Sequence, residues 1–552
     1  MSTPFLSRPV YILLFSLLGI VYVFGLFVPL IDNDSAHHAC IALRMNITGN
    51  HAFLVDQGGD YLDKPHLLFW LAAGSFKIFG VTAFAYKLPT FLFTILGTYS
   101  TYRLGKTLYD KETGKLAALI VASSFAYMIA NSDVRMDAIL TACIAFASWQ
   151  LVEFIQNKKL LNVAGAALGL ALGFSTKGHI AVFVPAVFSL FYILYRKDWK
   201  LFINWKWLLL LVLFSVFISP VVYAYYLQYN LHPEKIIRGK DHINGIKFIL
   251  LNQSIERFSG GMGSDSKNDY LFFIHSFLWA FAPWSILTYI AVFGRIKKLA
   301  ARKEEWATTG TFLSVLVIVS LSNFKLPHYL NIIFPAAAVM TAVFILNKWT
   351  DSKWTKRIFI LQLITVILFL VAAAVINTWA FPIGSVWIIA GTVVLLAVVF
   401  YFLRSRVYDR LQKAVAVSAA TMIFVLFLLN SNFYPQLLNY QAGQNLAKIT
   451  KGKVDPADVY VQKNSYHYSS SYTFAAASMF KTFDDSLLVK GKKVWLQAEP
   501  DQLEDLQKNY QTGAIYEATH FRVTKLNLKF VNPATRDKEC WKMMLVEIIA
   551  KK

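Results

Sequence analysis

The chain has 552 residues, with 54 Lys and Arg against 32 Asp and Glu for a formal charge of +22; it is 56% hydrophobic with a mean hydropathy of +0.48. Apolar runs of about 15 to 20 uncharged residues recur along it, the length a helix needs to cross a hydrocarbon core, which excludes an ordinary soluble protein. The positive charge sits in short connectors between those runs, where anionic headgroups account for it, so nucleic acid is excluded as a partner, and the three cysteines, Cys40, Cys143 and Cys540, have no C-x-x-C spacing to suggest a disulfide scaffold or thiolate metal site.

Tyr11–Leu30 is the first predicted span; it is too long for a signal-peptide core and has no small-residue cleavage pattern before Asp32, so it is expected to persist as an anchor. Further spans are predicted at Leu88–Tyr102, Leu116–Ala130, Ala138–Val152, Leu160–Phe174, Gly178–Leu194, Trp207–Tyr226, Leu271–Phe293, Thr311–Leu321, Tyr329–Leu346, Ile358–Ile376, Val386–Phe402 and Ala414–Leu429, thirteen crossings in all. Counted from an inner N-terminus, the inner connectors hold six basic clusters, from Arg103, Lys106, Lys111 and Lys115 to Arg404, Arg406, Arg410 and Lys413. Short outer connectors hold only Arg135, Lys177 and Lys325. One further apolar segment, Lys64–Gly80, would invert every later loop if it crossed. At ~1 kcal/mol per basic residue near an anionic inner surface, that segment is predicted to lie along the outer surface instead.

Two outer segments are long, residues 31–87 and 230–270, and the second is basic, with Lys235, Arg238, Lys240, His242, Lys247 and Arg257 suited to phosphate. From Ser431 the composition turns soluble. Strand-like runs at Val459–Gln462, Val494–Gln497, Tyr516–Thr524 and Met543–Ile549, with an amphipathic helix at Asp501–Lys508, predict a small external α/β domain over 431–552 behind a membrane module over 1–430. The expected fold class is thus a polytopic α-helical membrane protein with in-plane helices in its first external loop.

Ionisable residues near the membrane boundary are costly to keep and so are functional candidates. On the outer side these are Asp34 after the first span, Asp63 and Lys64 at the start of the in-plane segment, Arg135 and Asp137 between the third and fourth spans, Lys177 and Lys325. Each has a structural alternative: a capping aspartate after a span, or a lysine snorkelling to the interface. Together they place a carboxylate among cations at one depth, as transfer from a lipid phosphate requires: cations hold the phosphate leaving group and a carboxylate takes a proton from the attacking group. His37 and His38, with Asp34 and Asp63, offer ligands to a divalent ion, but adjacent histidines on a helix are expected to point apart; a metal is not favoured and no cofactor is required.

Asp34 with His37 and His38, then Asp63-Lys64-Pro65, Asp137, Thr176-Lys177-Gly178, Ile255-Glu256-Arg257-Phe258, Pro283-Trp284 and Lys325-Leu326-Pro327-His328-Tyr329 form an ordered set. The set resembles the GT-C glycosyltransferases, in the branch containing protein O-mannosyltransferases and the bacterial lipid A aminoarabinose transferase. It runs to about Pro335; beyond it only the span pattern and an external C-terminal domain are similar. The resemblance implies an integral-membrane transferase of the bacterial inner membrane that takes a sugar from a polyprenyl-phosphate donor at the extracytoplasmic face, with inversion. It also implies that Asp34 and Asp137 are the catalytic acids, that Lys64, Arg257 and Lys325 hold phosphate, and that Tyr329 lies beside them. Asp63, Lys177 and Arg135 complete the expected substrate-binding set. Ser35, Asp63 and Ser254 stand where family members carry Glu, Glu and His, and the last two departures remove ligands from any metal site drawn by analogy.

The expected partners are therefore a polyprenyl-phosphate sugar, a lipid, glycan or protein acceptor, and membrane lipids. Protein O-glycosylation is the nearest alternative reading. A transporter or flippase is the rival class, but transporters more often show paired repeats with charges at the midplane, whereas here the charges gather at the outer ends.

Overall fold

The computed structural model of the protein describes residues 4–32, 34–57, 59–237, 239, 241–253, 256, 269–297, 304–462, 469–488 and 493–551. A helical segment lies over each of the thirteen predicted spans. Among the described residues, eight helical segments are long and apolar enough to cross a membrane: Arg8–Leu26, Met136–Asn157, Leu160–Lys177, Lys206–Asn230, Pro327–Asn347, Ser352–Ala380, Val386–Arg404 and Arg410–Tyr440. We label the helices used below α1 (Arg8–Leu26), α2 (Asp34–Thr48), α3 (Leu67–Phe79), α4 (Ala83–Leu108), α5 (Met136–Asn157) and α6 (Leu160–Lys177).

Two predicted spans are interrupted. Leu116–Ala130 divides into Lys111–Ala122 and Phe125–Ile129, and Leu271–Phe293 divides into Phe272–Ala280 and Ser285–Ile296. The second break falls at Pro283, which has no N–H to donate and disfavours helical backbone at the residue before it.

Hydrogen bonds and ion pairs gather the six basic connectors at one end of the bundle. Arg103 meets Glu153 at 3.4 Å and Lys158 meets Asp198 at 3.6 Å. Tyr109 reaches Glu305 at 3.1 Å, Asn347 reaches Glu304 at 3.3 Å, and Trp349 donates to Asp409. From this end α5 runs 22 residues, about 33 Å, to Asp137 at the other.

Lys64–Gly80 does not traverse the bundle. The charge of Lys64 acts on Asp34, just past the end of α1, while Lys87, at the start of α4, donates to the carbonyls of Gly25 and Val28 at 3.1 and 2.7 Å. Both ends of the segment therefore sit at the same end of α1. Within it, α3 turns buried Leu67, Leu68, Phe69, Ala72, Ala73 and Phe76 onto α2 and α4. Lys87 is fully buried and satisfies one carbonyl in the last turn of α1 and one just beyond it. Lys87→Met is expected to lower stability by about 1–3 kcal/mol for each stranded carbonyl, read as a fall in unfolding temperature in detergent.

The C-terminal region carries a four-stranded sheet in the order β3-β4-β6-β5, where β3 is Val459–Val461, β4 is Val494–Ala498, β5 is Tyr510–His520 and β6 is Trp541–Lys551. β3 and β4 are parallel and the other pairs antiparallel. The predicted helix is Pro500–Asn509; Ala442–Thr450 and Ser469–Ala475 were not foreseen. Buried Asp32 ties the first loop to this region, accepting from the Ser471 amide at 3.0 Å and the Ser471 hydroxyl, while the Asp32 amide donates to Gln441 Oε1 at 2.7 Å.

Candidate active site

Asp34 opens α2, so its carboxylate lies where the unpaired amides of a helix N-terminus favour negative charge. Arg135, the residue preceding α5, brings Nη1 to 3.4 Å from the Asp34 carboxylate and is itself braced by Asp133 at 3.0 Å. The same Nη1 lies 3.3 Å from His328 Nδ1, and His328 Nε2 lies 3.6 Å from Asp137. Asp137 in turn accepts from Lys177 Nζ at 2.6 Å, and that ammonium stands 4.2 Å from the centre of the Tyr329 ring. Residues from four widely separated stretches of sequence thus form one charged chain at the end of the bundle opposite the basic connectors.

Asp137 and Lys177 are buried, their side chains 4% and 8% exposed, whereas Asp34 and Arg135 are partly open at 35% and 25%. The cluster therefore has a closed half and an open half, and Asp34 is in the open one. Burial pushes the Asp34 carboxyl up, but the positive charge around it, that of Arg135 and Lys64 included, more than offsets it and holds it below the ordinary carboxylate range. His38 is pushed down to about 3 by burial and by His37, so it is neutral at pH 7 and Arg135 and Lys64 are the standing charges facing Asp34.

Lys64 is half-buried, with its backbone carbonyl 3.4 Å from the Tyr225 hydroxyl, and the Asp63 carbonyl accepts from Gln253 at 3.0 Å. Lys325 is buried at the far end of the segment carrying His328 and Tyr329; its ammonium donates to the Asp269 carbonyl at 2.8 Å and lies 5.2 Å from the centre of the Tyr270 ring. Arg257, with the Ile255-to-Phe258 motif around it, lies outside the described residues apart from Glu256. Asp34, Lys64, Arg135, Asp137, Lys177 and Tyr329 are thus brought together, with Lys325 four residues along the chain from Tyr329.

The histidine pair departs from expectation. The rings of His37 and His38 are stacked, 5.4 Å apart at 21°, because His37 turns to Asp56 at 2.6 Å and His38 to the Tyr61 hydroxyl at 3.3 Å. Among the described residues no group of three or more His, Cys, Asp and Glu could hold a metal ion. Sequence reasoning missed His328 as a site residue, although the Lys325-to-Tyr329 motif contains it; Asp133, two residues before Arg135, gave no comparable signal.

In fold, and in part of its sequence, the chain is similar to membrane sugar transferases of the aminoarabinose and protein-mannosyl kinds. Residues 63–223 match the family described as dolichyl-phosphate-mannose-protein mannosyltransferase. The crystal structure of ArnT from Cupriavidus metallidurans bound to undecaprenyl phosphate superposes with a TM-score of 0.74 over 97% of both chains at 15% identity, which shows a shared fold. The undecaprenyl phosphate-alpha-4-amino-4-deoxy-L-arabinose arabinosyl transferase 1 of Pseudomonas fluorescens is 22% identical over 60% of the chain, and an uncharacterised protein of Aquifex aeolicus is 25% identical over 65%. The matches span 55% and 66% of those relatives' own lengths.

Proposed function

We propose that the protein is an integral-membrane glycosyltransferase that moves a sugar from a polyprenyl-phosphate donor to lipid A or another envelope acceptor. In this reading it sits in a bacterial inner membrane with thirteen crossings, α3 lying along the outer surface, and the site and residues 431–552 outside the cytoplasm. The gathering of all six basic connectors at the opposite end of the bundle supports that orientation.

The observation that carries the reading is an ionised carboxylate in the open half of the site, faced by two permanent cations, Arg135 and Lys64. An acceptor oxygen attacks the anomeric carbon, the bond from that carbon to the phosphate oxygen breaks, and polyprenyl phosphate leaves with the electron pair. Asp34 takes the acceptor's proton, while Lys64, Arg257 and Lys325 hold the phosphate as its charge grows. Arg135 keeps Asp34 aimed. Asp137 and Lys177 form a buried pair that fixes His328 and Tyr329 on the floor of the site. The fold shared with an undecaprenyl-phosphate-bound ArnT supports a lipid phosphate as donor handle.

Purified protein given radiolabelled polyprenyl-phosphate sugars and lipid A in turn tests the proposal: transfer from at least one donor is expected, and no transfer from any sugar to lipid A or to envelope extract defeats it. Lys325→Ala is expected to weaken binding of polyprenyl phosphate by about tenfold or more, the worth of a charge-assisted hydrogen bond. Unchanged binding assigns Lys325 to bracing Asp269 alone.

A further inference from the structure

The C-terminal region carries an apolar, basic loop on its surface. Residues 522–531 carry Leu526 and Leu528, which are 43% and 86% exposed, between exposed Lys525 and Lys529. Such exposure of leucine on a soluble face costs hydration free energy unless something apolar covers it.

The loop is rigid beneath that exposed edge. Asn527 Oδ1 accepts from the Phe530 amide at 2.8 Å and caps the short helix Leu528–Val531. Phe530 is fully buried, stacked on Phe521 with ring centres 3.7 Å apart and edge-on to Tyr440 at 5.1 Å. Burial of Phe530 fixes Leu528, two residues earlier, in its outward position.

Its height is set by one side chain. Arg536 donates to the Phe530 carbonyl at 3.0 Å and the Val531 carbonyl at 3.1 Å, and the same guanidinium reaches the Ala380 carbonyl at 2.6 Å. It also lies 4.1 Å from the centre of the Phe381 ring. Ala380 is the last residue of the span Ser352–Ala380, so the loop is held level with the end of a membrane helix. Trp379 at that end and Trp387 at the start of the next span are 51% and 86% exposed, as tryptophans at a headgroup boundary are.

We propose that this loop docks on the outer leaflet, with Leu526 and Leu528 entering the top of the acyl region and Lys525 and Lys529 meeting lipid phosphates. The neighbouring Glu539 accepts from Asn527 at 3.1 Å. A leucine pair flanked by lysines is the chemistry of an interfacial anchor. The C-terminal region is thereby fastened to the bilayer as well as to Asp32.

The test uses the full chain in lipid nanodiscs, one copy per disc. Leu528→Cys is labelled with an environment-sensitive fluorophore after Cys40→Ser and Cys540→Ala, and Lys508→Cys in the same background serves as the control on the exposed face of Pro500–Asn509. The label at 528 is expected to shift to the blue and to lose most of its emission when the lipid carries a doxyl group high on the acyl chain, while the label at 508 does neither. Lys525→Gln with Lys529→Gln is expected to reduce that quenching in discs rich in anionic lipid. Equal quenching at 528 and 508 overturns the proposal. So does a blue shift at 528 without doxyl quenching, because protein then covers the loop.

Discussion

Asp34→Asn is expected to lower the transfer rate by about 10²- to 10⁴-fold, the range for a positioned general base, while donor binding is retained. Asparagine keeps the shape of the side chain and an oxygen for Arg135 at the 3.4 Å position, but cannot carry a proton away. Because the cationic neighbours hold the Asp34 carboxyl below the ordinary carboxylate range, it is ionised at neutral pH and only weakly basic. It therefore takes the proton as the new bond forms rather than before, and the loss is expected toward the lower end of the range. The fall should appear in kcat with little change in KM for the donor. The pH profile follows from the same shift. A carboxyl with a lowered folded pKa lends stability above its unfolded value and loses it as pH falls through the folded one. The acid limb of kcat/KM due to Asp34 is accordingly expected below the ordinary carboxylate range, with no inflection from this group near neutrality. Full activity in the asparagine variant removes Asp34 from the chemistry.

That Asp34, Lys64, Asp137 and Lys177 gather at one end of the bundle was legible in the sequence for an energetic reason. A charge kept at the end of an apolar run is costly, so position along the hydropathy pattern predicts depth, and the distribution of basic residues predicts which end of the bundle is shared. The strands of the C-terminal sheet were legible for a similar reason, since short β-branched and aromatic runs stand out in a polar stretch. Pairing was not legible. Nothing in the spacing says that Asp137 takes Lys177, 40 residues on, while Asp34 takes Arg135, about a hundred residues on, because partners are chosen by how helices pack. Lys87 reads in sequence as one more boundary lysine, yet it is fully buried against carbonyls at and just past the end of α1. The contact between Asp32 and Ser471 joins residues 439 apart and has no local signature. The strand order β3-β4-β6-β5 is likewise a product of chain return, not of any one strand's composition.

The buried pair of Asp137 and Lys177 separates structural from chemical roles. Asp137→Ala is expected to destabilise the protein by about 3–5 kcal/mol, since it leaves the Lys177 ammonium without its 2.6 Å partner in a place closed to water. Lys177→Met should cost a similar amount from the other side. Replacing both, with Asp137→Leu and Lys177→Met, is expected to recover most of the stability, because an apolar pair of similar volume carries no desolvation penalty. Activity should not recover with it. His328 loses the carboxylate 3.6 Å away and keeps only its contact with Arg135, and Tyr329 loses the ammonium over its ring, so this side of the site is held less firmly. Unfolding temperatures in detergent and transfer rates for the three variants provide the comparison. A double variant that regained both stability and rate would reduce the pair to scaffolding, and single variants within about 0.5 kcal/mol of the parent, as for exposed positions, would mean that the pair is not buried in the working protein.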